Sequence, residues 1–286
     1  MKRISMILAI LPLSIAMVCS VGYAVETTIP QSALTPSTQY YTDMIGGGIG
    51  SALVMTGGGN GANIGFSRND DGFSGPISLG FSSPFVFFGQ NYAQFWANNN
   101  GNISFNNGIS AYTPTGPTGA SAPIISPFFA DVDTRNLSSG LMYLRNDISN
   151  QIIVTWDAVG YYGLNADKLN SFQLVLRGPD YDVPLGEGDI GFFYKTMQWE
   201  TGDASGGSGG FGGTPAAVGF GDGLGNGEVL AGSIQNGISG VVNNHYIWFD
   251  PNLRPINAIP EPATMFLLGS GLIGLAGYGR RKFFKK

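Results

Sequence analysis

Two aspartates separated by one residue are the most pointed candidates for chemistry in this sequence. Asp131 and Asp133 lie in the segment FFADVDTR. On a strand both carboxylates would face the same side, because side chains alternate across a strand. Two carboxylates on one face repel each other unless a cation, an arginine or solvent intervenes, and Ca²⁺ binds several such oxygens at once. The spacing therefore predicts a metal site at Asp131 and Asp133, with calcium as the candidate cofactor.

Arg135 offers a second interpretation of the same segment. It follows Asp133 by two residues, so it can pair with one aspartate while both carboxylates end a strand in a turn. Two other oxygen-rich segments are RNDDG at 68–72 and GDGLGNGE at 221–228. Neither has the spacing of the helix-loop-helix calcium motif, and we interpret both as turns. The metal site and the arginine pair remain alternatives at this point.

No residue is predicted to be catalytic. His245 is the one histidine of the chain, and the sequence places no serine or acid beside it to complete a triad. Ser208 fits the pattern G-x-S-x-G, but it lies in a glycine-serine loop and not in the strand-to-helix turn that the mechanism needs. An acid pair for glycoside hydrolysis cannot be selected among so many carboxylates. We predict a non-enzyme and keep a secreted glycan hydrolase as the most distant alternative.

Short strands are the elements that must position these residues. Charged residues make up only 12% of the chain, and it contains 45 glycines. Runs rich in β-branched and aromatic residues, such as QIIVTWD and FQLVLR, alternate with turn residues. This pattern predicts a mainly β fold, a single antiparallel β-sandwich-like domain with short strands and Gly-rich loops. The strands are expected near residues 77–79, 85–88, 93–97, 102–105, 124–129, 141–145, 152–157, 172–176, 190–196, 216–219 and 246–249.

Both ends of the chain have the composition of targeting segments. Lys2 and Arg3 precede a largely apolar run that ends at Gly22-Tyr23-Ala24, which predicts a signal helix over 1–24 that is cleaved after Ala24. Cys19, the one cysteine, lies inside that segment, so disulfides and cysteine-bound metals are not expected in the exported protein. The predicted organisation is a signal peptide at 1–24, a glycine-rich lead-in at 25–67, a β domain at 68–250, a proline-rich spacer at 251–259 and a sorting or transmembrane tail at 260–286.

The charge of the chain argues against nucleic acid as a partner. The whole chain carries 14 basic and 19 acidic residues, a net charge of −5. Residues 1–24 and the segment from residue 260 onward together hold seven of the basic residues and one of the acidic ones. The remainder therefore has 7 basic and 18 acidic residues, a net charge of −11. An acidic domain of this kind repels the phosphate backbone and is soluble outside the cell.

The central part of the chain resembles the nidogen-like (NIDO) extracellular domain. The segments that carry the resemblance are PFVFFG at 84–89, NNNGNISF at 98–105, ISPFFADVDTR at 125–135 and VTWDAVGYY at 154–162. Further matching segments follow in the same order as far as residue 223. Phe129 stands where many members are expected to have tryptophan. The resemblance implies an extracellular, non-catalytic module linked to cell–matrix adhesion. It places Asp131 and Asp133 within the family pattern but assigns them no role.

The tail resembles the PEP-CTERM sorting signal of Gram-negative bacteria. It consists of Pro260, Glu261 and Pro262, sixteen mostly apolar residues at 263–278, and a basic end that includes Arg280, Arg281 and Lys282. The resemblance implies processing by an exosortase and export linked to extracellular polysaccharide. Sixteen helical residues reach about 24 Å, less than the roughly 30 Å of a bilayer core. The basic end stays on the cytoplasmic side. We expect a C-terminal transmembrane helix. Because its span is short, we expect it to anchor the chain in the inner membrane only transiently.

These observations together predict a secreted bacterial surface or matrix protein. Its expected role is cell–matrix adhesion or exopolysaccharide-associated binding in the cell envelope or the extracellular matrix, for example of a biofilm. The expected partners are signal peptidase and exosortase for processing, and a matrix polysaccharide or a surface protein for binding. A calcium-assisted carbohydrate-binding module, with Asp131 and Asp133 as ligands, is the first alternative to this interpretation.

Overall fold

Strands dominate the part of the chain that the structure describes. The computed structural model describes residues 25–58 and 64–256. Within these ranges the α-helices are α1 (Tyr41–Ile45) and α2 (Ile238–Val242), each five residues long. The strands are β1 (Glu26–Ile29), β2 (Thr35–Pro36), β3 (Ser51–Ala52), β4 (Gly57–Gly58), β5 (Gly72–Phe73), β6 (Ile77–Ser78), β7 (Phe85–Phe87), β8 (Gln90–Tyr92), β9 (Gln94–Asn98), β10 (Asn102–Ser104), β11 (Ile124–Phe129), β12 (Val132–Asp133), β13 (Leu141–Arg145), β14 (Gln151–Tyr161), β15 (Asn165–Arg177), β16 (Ile190–Met197), β17 (Ala217–Gly221), β18 (Gly227–Leu230) and β19 (His245–Phe249).

The strands form two large sheets and one hairpin. The first sheet has the order β1-β18-β17-β11-β10-β9-β5-β4, with β6 also paired to β9. The second sheet has the order β2-β19-β16-β15-β14-β13-β3, with β12 also paired to β14. Strands β7 and β8 form a separate hairpin. Neighbouring strands are antiparallel except β1 and β18, which are parallel. The mainly β, antiparallel fold predicted from the sequence is confirmed.

Aromatic side chains from the two sheets meet in one core. Phe220 on β17 of the first sheet contacts Phe192 on β16 and Phe249 on β19 of the second, with ring centroids 5.3 and 4.8 Å apart. Trp156 and Phe172 on the long hairpin β14–β15 stack at 5.0 Å. These side chains are all buried. Edge-to-face and offset-stacked ring pairs of this kind add to the free energy gained from burial alone.

The glycine-rich lead-in is part of this domain, which corrects the boundary expected at residue 68. Strand β1 extends the first sheet beside β18, and β2 and β3 pair with β19 and β13 as the two outer strands of the second sheet. In α1, Tyr41 packs on Phe193 and Trp248, on the face of the second sheet that points away from the main core. The lead-in is folded because its few apolar side chains cover a sheet face that is itself apolar.

The predicted spacer after Asp250 also begins inside the fold. Leu253 is buried, and the Ile256 backbone amide donates a hydrogen bond to the Trp248 carbonyl. Residues 251–256 thus turn back along β19, so a spacer can begin only after Ile256. The signal helix expected at 1–24 and the transmembrane helix expected after residue 260 lie outside the described residues. Among residues 25–58 and 64–256, no helix has the length and apolar character to cross a bilayer.

Candidate functional site

A cluster of charged side chains lies where the segment before β5 meets the segment after β11. Asp70 forms an isolated antiparallel bridge with Asp133 on β12. The bridge is reinforced by Asn69, whose backbone amide donates to the Thr134 hydroxyl and whose carbonyl accepts from the Thr134 amide. This pairing brings Asp70 and Asp71 close to Asp131 and Asp133, about sixty residues further along the chain. These four aspartates and Arg135 are called the acidic cluster below.

Asp133 is the member of the cluster that the protein itself neutralises. Arg135 donates to both of its carboxylate oxygens, from Nε at 3.0 Å and from Nη2 at 2.6 Å. The backbone amides of Arg135 and Leu164 donate to the same carboxylate at 2.9 and 3.0 Å. A carboxylate with four such donors has no need of a further ligand. The arginine pair considered for this segment therefore accounts for Asp133.

Asp131 has the opposite environment. It is only 1% exposed, and neither carboxylate oxygen has a hydrogen-bond partner among the described residues. It lies between the end of β11 at Phe129 and the start of β12 at Val132, so the alternation expected of a continuous strand does not apply there. The structure thus separates the roles of the two predicted metal ligands: Asp133 pairs with Arg135, and Asp131 lies with Asp70 and Asp71.

Asp70 and Asp71 lie beside Asp131 in the cluster. One oxygen of Asp70 lies 2.8 Å from Arg135 Nη2, while its Oδ1 is buried without a hydrogen-bond partner in the described part of the chain. Asp71 accepts a hydrogen bond from Asn100 Nδ2 at 2.8 Å. One carboxylate oxygen from each of Asp70, Asp71 and Asp131 can be chosen so that all three lie within 4.8 Å of one another. Three acids this close form a site with strong negative potential.

Burial and mutual repulsion raise the pKa values of Asp70, Asp71 and Asp131 when no ligand is bound. Burial, followed by the charges of Asp71 and Asp70, raises the pKa of Asp131 to about 8. Burial and the Asp133 charge raise the pKa of Asp70 to about 7, although Arg135 acts in the opposite direction. Burial likewise raises the pKa of Asp71, against the hydrogen bond from Asn100. The hydrogen bond to Asp133 raises the pKa of Arg135, so Arg135 stays cationic.

Backbone geometry around the cluster depends on two glycines and an asparagine. Asn100 accepts from the Val132 amide at 2.9 Å while it donates to Asp71, so it links the two acidic segments. Gly101 has φ of +75°, and a Cβ there would overlap the Phe128 carbonyl. A Cβ at Gly202 would overlap the Asp131 carboxylate. Only glycine fits Gly101 without strain, because L-residues with a side chain disfavour that conformation.

Sequence reasoning missed Asp70, Asp71 and Asn100 as members of the site. The segment RNDDG was interpreted as a turn, which its local geometry supports: the Gly72 amide donates to Asn69 Oδ1 at 3.1 Å. The run of three oxygen-bearing side chains at 69–71 was the sequence signal that could have identified Asp70 and Asp71. The sorting-motif residues Pro260, Glu261, Pro262, Arg280, Arg281 and Lys282 lie outside the described residues.

Comparison with known proteins identifies two regions of the chain. The family model for the nidogen-like domain matches residues 93–247. The model for the PEP-CTERM protein-sorting motif matches residues 258–282. Together they indicate a secreted surface protein that carries an exosortase sorting signal. No solved structure matches the chain.

Curated relatives match the same central region. Alpha-tectorin of Gallus gallus is 33% identical in an alignment of 180 residues, gaps included, that covers 53% of this chain and 8% of that protein. Alpha-tectorin of Homo sapiens is 34% identical with the same coverage of both chains. Nidogen of Drosophila melanogaster is 28% identical over 130 residues, 37% of this chain and 10% of that protein. The chain thus spans a tenth or less of the length of these relatives. By its central domain, this chain belongs to the nidogen-like domain family.

Proposed function

We propose that this chain is a non-catalytic protein of the bacterial cell surface or matrix, which adheres to exopolysaccharide or to another surface protein. The observation that carries the proposal is the presence of a nidogen-like domain and a PEP-CTERM sorting motif in one chain. The first supports an adhesive module, and the second supports delivery to the extracellular matrix through an exosortase. We propose a Gram-negative envelope as the location, with transient anchoring in the inner membrane by the tail.

Burial of the acidic cluster supports binding over glycan hydrolysis. A glycosidase needs two carboxylates that reach a sugar from opposite sides, about 5 Å apart or more. Asp131 and Asp70 are 1% and 3% exposed, so a sugar ring has no access to them. His245 is half-buried, and its Nδ1 lies 2.8 Å from the Asn243 carbonyl oxygen. The buried acids of the cluster therefore do not stand where a glycosidic bond would be cleaved.

Replacement of Glu261 by alanine tests the sorting part of the proposal. We expect Glu261→Ala to remain in the membrane fraction of the producing cells, while the native chain is recovered from the extracellular matrix with a lower mass. The reason is that Glu261 belongs to the Pro-Glu-Pro triplet of the sorting motif. The measurement is immunoblotting of cell fractions, combined with the intact mass of the recovered chain.

The control for this experiment is Glu228→Ala, in the folded domain. Glu228 is partly buried on β18, and among the described residues no side chain forms a salt bridge with it. This variant should be sorted like the native chain. If Glu261→Ala reaches the matrix with the same mass and yield as the native chain, sorting does not depend on the triplet and this part of the proposal fails.

A further inference from the structure

We propose that Asp70, Asp71 and Asp131 bind one Ca²⁺ ion. One oxygen from each carboxylate lies within 4.8 Å of the other two. Ligands at about 2.3–2.6 Å from Ca²⁺ are at most about 5 Å apart when they lie on opposite sides of the ion. The three oxygens therefore have the separation of ligands that share one cation. This inference goes beyond the adhesive role, because the ion would bind inside the domain whatever its partner is.

The unpartnered oxygens of Asp131 are an independent indication of a ligand. Buried polar groups in folded proteins nearly always have a hydrogen-bond partner, and a buried carboxylate without one is costly. Asp131 is 1% exposed, and both of its oxygens lack a partner among the described residues, as does Oδ1 of Asp70. Asp131 and Asp70 thus have three unpartnered oxygens among the described residues, and one carboxylate oxygen of each lies within 4.8 Å of the other. A cation bound between the two carboxylates would supply a partner for buried oxygens that lack one.

The charge of the cluster also calls for a cation. Its four aspartates are faced by one arginine, and Arg135 already forms its ion pairs with Asp133 and Asp70 at 2.6 and 2.8 Å. The nearby Asp203 adds to the negative field at Asp131. Three ionised carboxylates held this close would destabilise the fold through repulsion. A divalent cation would convert that repulsion into attraction.

The chemistry of the ligands favours calcium among the divalent cations. The cluster offers carboxylate oxygens alone, which are the ligands of hard cations and not of zinc or copper. Three carboxylates supply four oxygens that neither Arg135 nor Asn100 contacts, and water can complete the flexible shell of six to eight oxygens that is typical of Ca²⁺. Mg²⁺ keeps several water molecules in an octahedral shell. Asp131 and Asp70 are buried, so a shell that rich in water fits the site poorly.

Neighbouring groups hold these ligands in place. Asn100 donates to an oxygen of Asp71, and Arg135 holds the second carboxylate oxygen of Asp70. Hydrogen bonds of this kind orient carboxylate ligands and raise the affinity of metal sites. The ion would join the segment before β5 to the turn between β11 and β12. Calcium in the extracellular medium would therefore stabilise the contact between the two segments.

Calorimetric and thermal measurements on the exported, purified chain test this inference. We expect titration with CaCl₂ to show saturable heat with a stoichiometry of about one ion per chain. Thermal unfolding in about 1 mM CaCl₂ should occur at least about 5 °C above the midpoint measured in EDTA. MgCl₂ at the same concentration should give a clearly smaller shift. Absence of saturable heat, together with equal midpoints in calcium and EDTA, would overturn the inference.

Two variants and a control locate the ion. Asp131→Asn and Asp71→Asn should each reduce the calcium-dependent shift by more than half. Asp131→Asn should be at least as stable as the native chain in EDTA, because a neutral amide of similar size replaces a buried carboxyl group that has no hydrogen-bond partner among the described residues. Asp180→Asn, at an exposed aspartate, should keep the full shift. A full calcium-dependent shift in both cluster variants would show that calcium binds elsewhere. If one variant fails to fold, the other variant and the titration of the native chain still test the inference.

Discussion

Removal of residues 25–58 is expected to abolish folding of the domain. This segment contributes Ile29, Tyr41 and Met55 as buried side chains, each no more than 2% exposed. Burial of one such side chain stabilises a protein by about 1.5–3 kcal/mol. Loss of all three, and of the outer strands β1 and β2, would cost a large part of the roughly 5–15 kcal/mol that typically stabilises a domain. Far-UV circular dichroism and urea unfolding of the shortened chain would measure the effect.

A point variant provides the graded version of this experiment. Tyr41→Ala removes the ring that packs on Phe193 and Trp248, and the hydroxyl that accepts from Arg177 Nη2 at 2.7 Å. We expect a loss of about 3–5 kcal/mol, as for other buried aromatic residues. Met44→Ala in the same helix, where Met44 is 49% exposed, should change the unfolding free energy by less than about 0.5 kcal/mol. For the deletion described above, a chain without residues 25–58 that unfolds at the same urea midpoint as the native chain would show that the lead-in is dispensable.

Arg135→Met is expected to destabilise the calcium-free domain by about 3 kcal/mol. Removing one partner of a buried ion pair costs about 3–5 kcal/mol because the other charge stays buried. Asp133 has a fully buried side chain, whereas 27% of the Arg135 side chain is exposed, so we expect the lower end of that range. Urea unfolding in EDTA would measure the loss. Arg254→Met, at an exposed arginine, is the matched control and should cost less than about 0.5 kcal/mol.

The effect of Arg135→Met should grow as the pH rises. Burial and the Asp133 charge raise the pKa of Asp70 to about 7, and the Arg135 charge opposes that shift. Without the arginine, folded Asp70 holds its proton more tightly than unfolded Asp70, so stability falls as the pH rises through this range. Asp71 and Asp133 act on Asp70 in the same direction. The loss should therefore be larger near about pH 8 than near about pH 5, and an equal loss at both would contradict this electrostatic account.

Most strands could be predicted from the sequence because their side chains alternate or form apolar runs. The run QIIVTW is buried on β14 from Gln151 to Trp156, as its composition indicates. The extension of the hairpin through residues 158–170 was missed. This part contains Asn165, Asp167 and Lys168, which are not typical of strands, and the pairing of β14 with β15 shifts register after Trp156. The lead-in was missed because its glycines indicate flexibility, whereas burial of a few side chains decides its structure.

Only part of the acidic cluster could be predicted. Asp131 and Asp133 stand out by their spacing, but a rule for strands cannot show that the chain turns between β11 and β12. The proximity of Asp70 to Asp133 depends on a bridge between residues more than sixty positions apart. Such a long-range contact leaves no mark in a single sequence. The choice between arginine and metal likewise depends on hydrogen bonds, which assign Arg135 to Asp133 and leave Asp131 without a partner in the described part of the chain.

Saturable adhesion to matrix is the measurement that tests the proposed function most directly. The exported chain would be incubated with exopolysaccharide matrix from producing cells that lack it, and the bound fraction measured by sedimentation over a range of concentrations. An unrelated folded protein of similar size and net charge provides the control for non-specific binding. We expect saturable binding of the native chain without release of reducing sugar. Binding no greater than that of the control, or release of reducing sugar, would contradict the assignment as a non-catalytic adhesive surface protein.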